Sequence, residues 1–164
     1  MITRLGVLAC VIASAGCASS GAARSATTGT VSKWSGSFRP SASASNATFA
    51  PTAPNRGTGS ITATQLAGTP TTTRFELSIN TGGGSGNQVA WAVFSGACGA
   101  PGPYLAGQNQ FPPISVSSSG DGRVQVDLRV ALDPHASYHA NVYWTPSVQD
   151  MNDVMMCANL QPGG

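Results

Sequence analysis

From Lys33 onward, apolar and polar residues alternate with a period of two over short runs, which is the pattern of half-buried β-strands. In KWSGSFRP, Trp34, Gly36 and Phe38 face one way and Pro40 ends the run. GTGSITATQL puts Ile61 and Ala63 on one face, and TRFELSI sets Phe75, Leu77 and Ile79 against Arg74, Glu76 and Ser78. RVQVDLRVAL is the longest alternation, with Val124, Val126, Leu128, Val130 and Leu132 expected inside. Arg123, Gln125, Asp127 and Arg129 then form a solvated face. SYHANVYW and DVMMCANL supply the last two strands.

One run breaks the alternation. QVAWAVF is apolar on both faces, with Val89, Trp91 and Val93 on one and Ala90, Ala92 and Phe94 on the other, so it is expected to be covered on both sides. It leads through SGAC into a loop from Ser95 to Pro113 rich in Gly, Pro and Asn. Ile114 and Val116 mark a short strand, and SSSGDGR predicts a hairpin with Asp121-Gly122 at its tip. The segment from Ser41 to Arg56 is a long loop, and GGGSGN, from Gly82 to Asn87, is a turn that glycines make cheaply. About eight short strands and no helix-period run predict an all-β fold, an antiparallel Greek-key sandwich or flattened barrel.

Composition agrees with that class. Charged residues make up 9% of the 164, while Gly numbers 20 and Pro 11. The net charge of +2 is spread thinly, and with Arg4 in a cleaved leader it falls by one. Such a chain has no basic footprint for nucleic acid.

The N-terminus, MITRLGVLACVIASAGC, has a basic start ending at Arg4, an apolar run from Leu5 to Ala13, and small residues before Cys17. An apolar run this short is a secretory signal and not a permanent span. The small residues before Cys17 resemble a bacterial lipobox, with Ser14 where an aliphatic residue is usual. The expected organisation is a signal peptide over 1–16, a lipidated Cys17 heading a flexible tether over 17–31, and one domain over 32–164. That places the protein in the cell envelope, exported and held to the lipid bilayer through acylated Cys17, facing an unidentified envelope partner. Ordinary cleavage without acylation is the alternative. The triplet Asn46-Ala47-Thr48 carries no meaning as a glycosylation site behind a bacterial leader.

Past the leader and Cys17, the remaining cysteines are Cys98 and Cys157. An even pair in an oxidising compartment is expected to form a disulfide, closing a loop of roughly sixty residues worth ~4 kcal/mol in the chain-entropy account. Two buried free thiols are the alternative, and neither cysteine has the CxxC neighbour of a zinc site.

The order of these features resembles the copper-zinc superoxide dismutase fold and the chordin-type domains of secreted bacterial proteins. The resemblance runs from about Trp34 to Gln161. It rests on Gly57-Thr58-Gly59, the apolar strand entering Gly96-Ala97-Cys98, the hairpin Gly120-Asp121-Gly122, the strand NVYW and the lone cysteine of the terminal strand. It implies a disulfide between Cys98 and Cys157. It also implies metal ligands: a His-Xaa-His pair, which falls on Ala92 and Phe94, and a later histidine, which falls on Tyr143. A methyl group and a phenyl ring have no lone pair for copper, and a phenol is a poor substitute for imidazole. The loop from Ser95 to Pro113 holds neither histidine nor carboxylate. These positions are therefore expected to be vestigial, with no cofactor and no dismutase chemistry.

What remains is sparse. A metal-handling alternative would use His135, His139, Met151 and Met155, since imidazole and thioether suit copper. His139 is expected to share a face with Asn141 and Tyr143, and Met156 to pack in the core on the face of Val154 and Ala158. Asp127, Asp133, Asp150 and Asp153 show no paired spacing for acid-base work, no serine sits in a nucleophile elbow, and the glycine run lacks a phosphate cradle's lysine and helix. Trp91, Trp144, Tyr104 and Tyr143 are the aromatics a contact patch would use, with Trp91 and Trp144 expected in the core.

Overall fold

The computed structural model describes residues 32–41, 57–67, 71–83, 88–145 and 153–163. The leader, Cys17, the tether, Asn46, Met151 and the end of the GGGSGN run lie outside the described residues. Among the described residues nine strands follow in order: β1 Lys33–Pro40, β2 Thr58–Gln65, β3 Thr73–Asn80, β4 Gln88–Val89, β5 Trp91–Ser95, β6 Ile114–Ser115, β7 Asp121–Leu128, β8 Tyr138–Tyr143 and β9 Val154–Pro162. Among the described residues the helical content is one 3-10 turn, Gln108–Gln110, and no helix is long and apolar enough to cross a membrane.

Seven strands form one curled antiparallel sheet in the order β5-β8-β9-β1-β2-β3-β7, a half-barrel, and β4 with β6 makes a second small sheet. β6 also touches β7 through the bridge Val116↔Gly122, and β4 runs on through Ala90 into β5. The small sheet therefore spans part of the gap between the two edges of the large one. Strands β4 to β7 with β8 returning beside β5 make a Greek key. The expected all-β antiparallel architecture is the one observed.

Register explains the alternation. β1, β2, β3 and β7 pair without interruption, so Trp34, Ala63, Phe75 and Val126 fall in one inward row. Trp34, Phe38, Ile61, Phe75, Leu77 and Ile79 are buried on that face, while the residues between them meet solvent. A side chain such as Phe75, fully removed from water, contributes ~1.5–3 kcal/mol.

Four local expectations need correction. QVAWAVF is two strands, divided at Ala90, which bonds across to the end of β8 in a shifted register: its carbonyl accepts from Tyr143 N–H at 2.9 Å and its N–H donates to Thr145 O at 2.8 Å. The hairpin turn lies at Ser117–Gly120, with Gly120 N–H donating to Ser117 O at 3.0 Å and Gly120 in the left-handed region at φ 91°. Asp121 is thus already in β7. The alternation of RVQVDLRVAL outlasts its strand, which ends at Leu128 where Val130 N–H folds back onto Leu128 O. Leu132 is still buried, from a loop. Finally, β9 slips register against β8 between Val142 and Tyr143, with Met156 opposite Val142 and Val154 opposite Tyr143. Val154, Met155 and Met156 are consequently all buried in succession, where strict alternation had placed only Val154 and Met156 inward.

Candidate functional site

β5 and β8 pair along their whole length, Ala92 with Asn141 and Phe94 with His139, so the positions singled out by the resemblance are neighbours. Both strands are buried on both faces. The loop after Ser95 crosses the outer face at its start, where Gly96 O meets His139 Nδ1 and Cys98 bonds Cys157, and then borders the free edge of β5. Its stretch around Tyr104 runs antiparallel to β5, with Ser95 N–H donating to Pro103 O at 3.1 Å and Leu105 N–H to Val93 O at 2.9 Å. Gly102 makes this approach possible, since a Cβ there would overlap the carbonyl oxygen of Ser95. Further along, Trp91 Nε1–H donates to Pro112 O at 2.7 Å and the Trp91 ring meets Phe111 edge-on at 5.1 Å.

The loop is fastened at its start. Cys98 and Cys157 form a disulfide with a Cα separation of 5.9 Å, joining the loop to β9. Cys98 N–H also donates to the side-chain oxygen of Asn159 at 2.8 Å, and Gly96 N–H to Ser137 O at 2.8 Å. Beside the disulfide lies a shallow groove of about 510 Å³ bordered by Arg39, Ser37, Asn159 and Gln161.

Beneath this cover Phe94 stacks on the His139 imidazole at 5.3 Å and 16° on one side and lies 4.6 Å from the Tyr104 ring on the other. Tyr104 is 38% exposed and its hydroxyl takes a hydrogen bond from Gln108 Nε2–H, so the stack ends at solvent. His139 itself is 0% exposed. Its Nδ1 is 3.1 Å from Gly96 O, and because a carbonyl can only accept, Nδ1 carries the proton. Nε2 is left as a buried lone pair without a hydrogen-bond partner. Burial pushes the His139 pKa below the usual histidine value, opposed by the bond to Gly96.

Next along β8, Asn141 Nδ2–H points to the Tyr143 hydroxyl at 3.5 Å, and both side chains are buried. Burial pushes the Tyr143 phenol up to about 12; the Asn141 bond works against that and Tyr104 adds to it. The phenol is neutral at any ordinary pH and offers copper no anionic oxygen.

The remaining expected residues do not join this row. His135 is exposed in the turn after Asp133, where its backbone N–H donates to Asp133 Oδ1 at 2.8 Å. Met155 is buried at the bulge of β9, and Met151 and Cys17 lie outside the described residues. Among the described residues no three His, Cys, Asp or Glu side chains are grouped as metal ligands. The donor set the resemblance implies is therefore not matched: Ala92 and Phe94 present carbon, and the one imidazole is stacked on a phenyl ring. Two participants were absent from the sequence reading, Asn159 as the anchor of Cys98 and Phe94 as the partner of His139. Both arise from cross-strand register, which one-dimensional spacing does not carry. Comparison of the chain with family models, with curated proteins and with solved structures returns no match.

Proposed function

We propose that this chain is a non-catalytic envelope lipoprotein, a superoxide-dismutase-like β-domain tethered through acylated Cys17 and serving as a binding or structural module. The observation that carries the reading is the Phe94–His139 stack sealed under the disulfide-pinned loop. A redox copper centre needs several imidazoles converging on an accessible position. Here a phenyl ring fills the ligand position beside the one buried histidine. The Cys98–Cys157 bond supports the resemblance, being the pairing it implies.

The test is metal content. Purified processed chain is expected to carry well below one equivalent of copper or zinc and to show no dismutase activity after metal loading. One tightly held copper per chain would end this reading. Membrane anchorage is tested separately: Cys17→Ser is expected to move the protein from the membrane fraction to the soluble exported fraction.

One observation favours a second reading, metal handling. The Nε2 lone pair of His139 is buried and unpaired, the state in which imidazole ligates a metal. Cuprous titration of the wild-type chain and of His139→Gln separates the two, since a binding-module reading predicts identical isotherms.

A further inference from the structure

The Cys98–Cys157 disulfide is not sealed into the core. Both cysteines are only partly buried, and both border the groove of about 510 Å³ on the outer face of the sheet, beside Arg39, Ser37, Asn159 and Gln161. A sulfur that borders a groove can be reached by a thiolate from solution, whereas one inside a core cannot. Arg39 lies directly opposite Cys157 in the antiparallel pairing of β1 with β9, so their side chains leave the same face as neighbours. Arg39 is exposed, and no carboxylate lines the groove among the described residues. The loop does not hang on the sulfur bond alone. Cys98 N–H donates to Asn159 Oδ1 and Gly96 N–H to Ser137 O, each at 2.8 Å, and Gly96 O accepts from His139 Nδ1 at 3.1 Å. None of these bonds involves sulfur, so opening the disulfide leaves the start of the loop in place.

We infer that Cys98–Cys157 is a thiol–disulfide exchange site for small thiols that carry a carboxylate, with Cys98 the sulfur attacked and Cys157 the leaving group. The thiolate of the small molecule forms a bond to Cys98 Sγ as the Cys98–Cys157 bond breaks, and Cys157 departs with the electron pair as a thiolate. A second thiolate then attacks the sulfur of the molecule held on Cys98, which releases a small-molecule disulfide and leaves Cys98 as a thiolate. Two thiols are oxidised, the protein disulfide takes up their two electrons, and the two protons they lose end on the cysteines. The sulfur whose thiolate is better stabilised leaves faster, and the guanidinium across the strand from Cys157 stabilises a thiolate there. The same charge sets the preference among thiols. The groove holds one cation, no anion, and otherwise hydroxyl and amide groups, so it draws in a carboxylate and sets the attached thiolate beside the disulfide. The inference needs neither acylation of Cys17 nor the absence of copper, so it stands or falls apart from the functional reading above.

The experiment uses the full exported chain, alkylated in its native state first so that Cys17, if free, cannot react. It is then exposed to 3-mercaptopropionate, mercaptoethanol or cysteamine, quenched in acid, alkylated again and mapped by mass spectrometry. Each rate is divided by the rate of the same thiol with bis(2-hydroxyethyl) disulfide, which removes intrinsic reactivity. In the folded wild type the rate is expected to rise in proportion to thiol concentration, with the adduct on Cys98 and the fresh alkyl group on Cys157. The anionic thiol is expected to be fastest and the cationic one slowest, by about threefold for each unit of charge at this exposed position. Arg39→Gln, a change at an exposed side chain, is expected to keep the fold and lose that order. A rate that levels off as thiol is raised, which marks attack only after unfolding, overturns the inference. So does an adduct on Cys157, or an Arg39→Gln variant that discriminates among the thiols as the wild type does.

Discussion

The two halves of the large sheet meet solvent differently. In β1, β2, β3 and β7 one face packs inward and the other is wet, and Ser35, Thr62, Glu76 and Gln125 lie on the wet face. In β5 and β8 both faces are buried, because the loop from Gly96 to Pro113 folds back over them and a disulfide holds it there. The first half tolerates polar and charged residues cheaply. The second half must satisfy or tolerate every polar group it encloses, and it encloses His139, Asn141 and Tyr143.

The largest expected effect comes from removing the clamp that creates this difference. Replacing Cys98 and Cys157 together by Ser is expected to lower stability by about 4 kcal/mol, read from the denaturant midpoint. Limited proteolysis of that variant is expected to begin in the loop after Ser95. An unchanged midpoint would mean that the hydrogen bonds of Cys98 and Gly96 hold the cover unaided. Phe94→Ala attacks the same half from inside. Loss of a fully packed ring that touches both His139 and Tyr104 is expected to cost about 3 kcal/mol.

A smaller effect is the pH response of His139. Its folded pKa is depressed by burial, so at acid pH the unfolded chain binds a proton that the folded chain refuses. The contribution is fully present above the ordinary histidine value near 6.5 and is lost as pH falls below it. Unfolding curves at pH 7.5 and at about pH 5 are expected to differ for the wild type and to converge in His139→Gln. An equal pH dependence in both would place the proton elsewhere. The smallest effect belongs to the wet half. Arg74 and Asp127 form a bidentate pair at 2.8 and 3.0 Å, each about two-fifths exposed. A double-mutant cycle with Ala is expected to give a coupling near the limit of measurement that disappears in high salt. A strong coupling there would show that the two halves are less different than their exposure suggests.

How much of this was legible beforehand follows the same division. Trp34, Phe75, Leu77 and Ile79 announced their faces because a strand wet on one side writes its orientation into alternate residues. QVAWAVF announced burial on both sides for the complementary reason. What alternation cannot register is a change of backbone direction that leaves the residue types alone. Ala90 shifts register against the end of β8, Val130 folds back on Leu128 and Met155 bulges, yet each remains an apolar residue in an apolar run. The candidate site was legible only as substitutions: Ala92, Phe94 and Tyr143 could be named, but that Phe94 lies on His139 follows from β5 pairing with β8.

By itself the sequence determined that the chain is all-β, where most strands lie, and that its two late cysteines had a partner in each other. Those properties depend on residue types and their period, which are local. Tertiary structure decided which side of β8 the loop would bury, that an imidazole would be left with an unpaired nitrogen, and that β6 would bridge onto the start of β7. These depend on register and on which strands become neighbours, and residues 45 positions apart, such as Phe94 and His139, meet only once the sheet has closed around them.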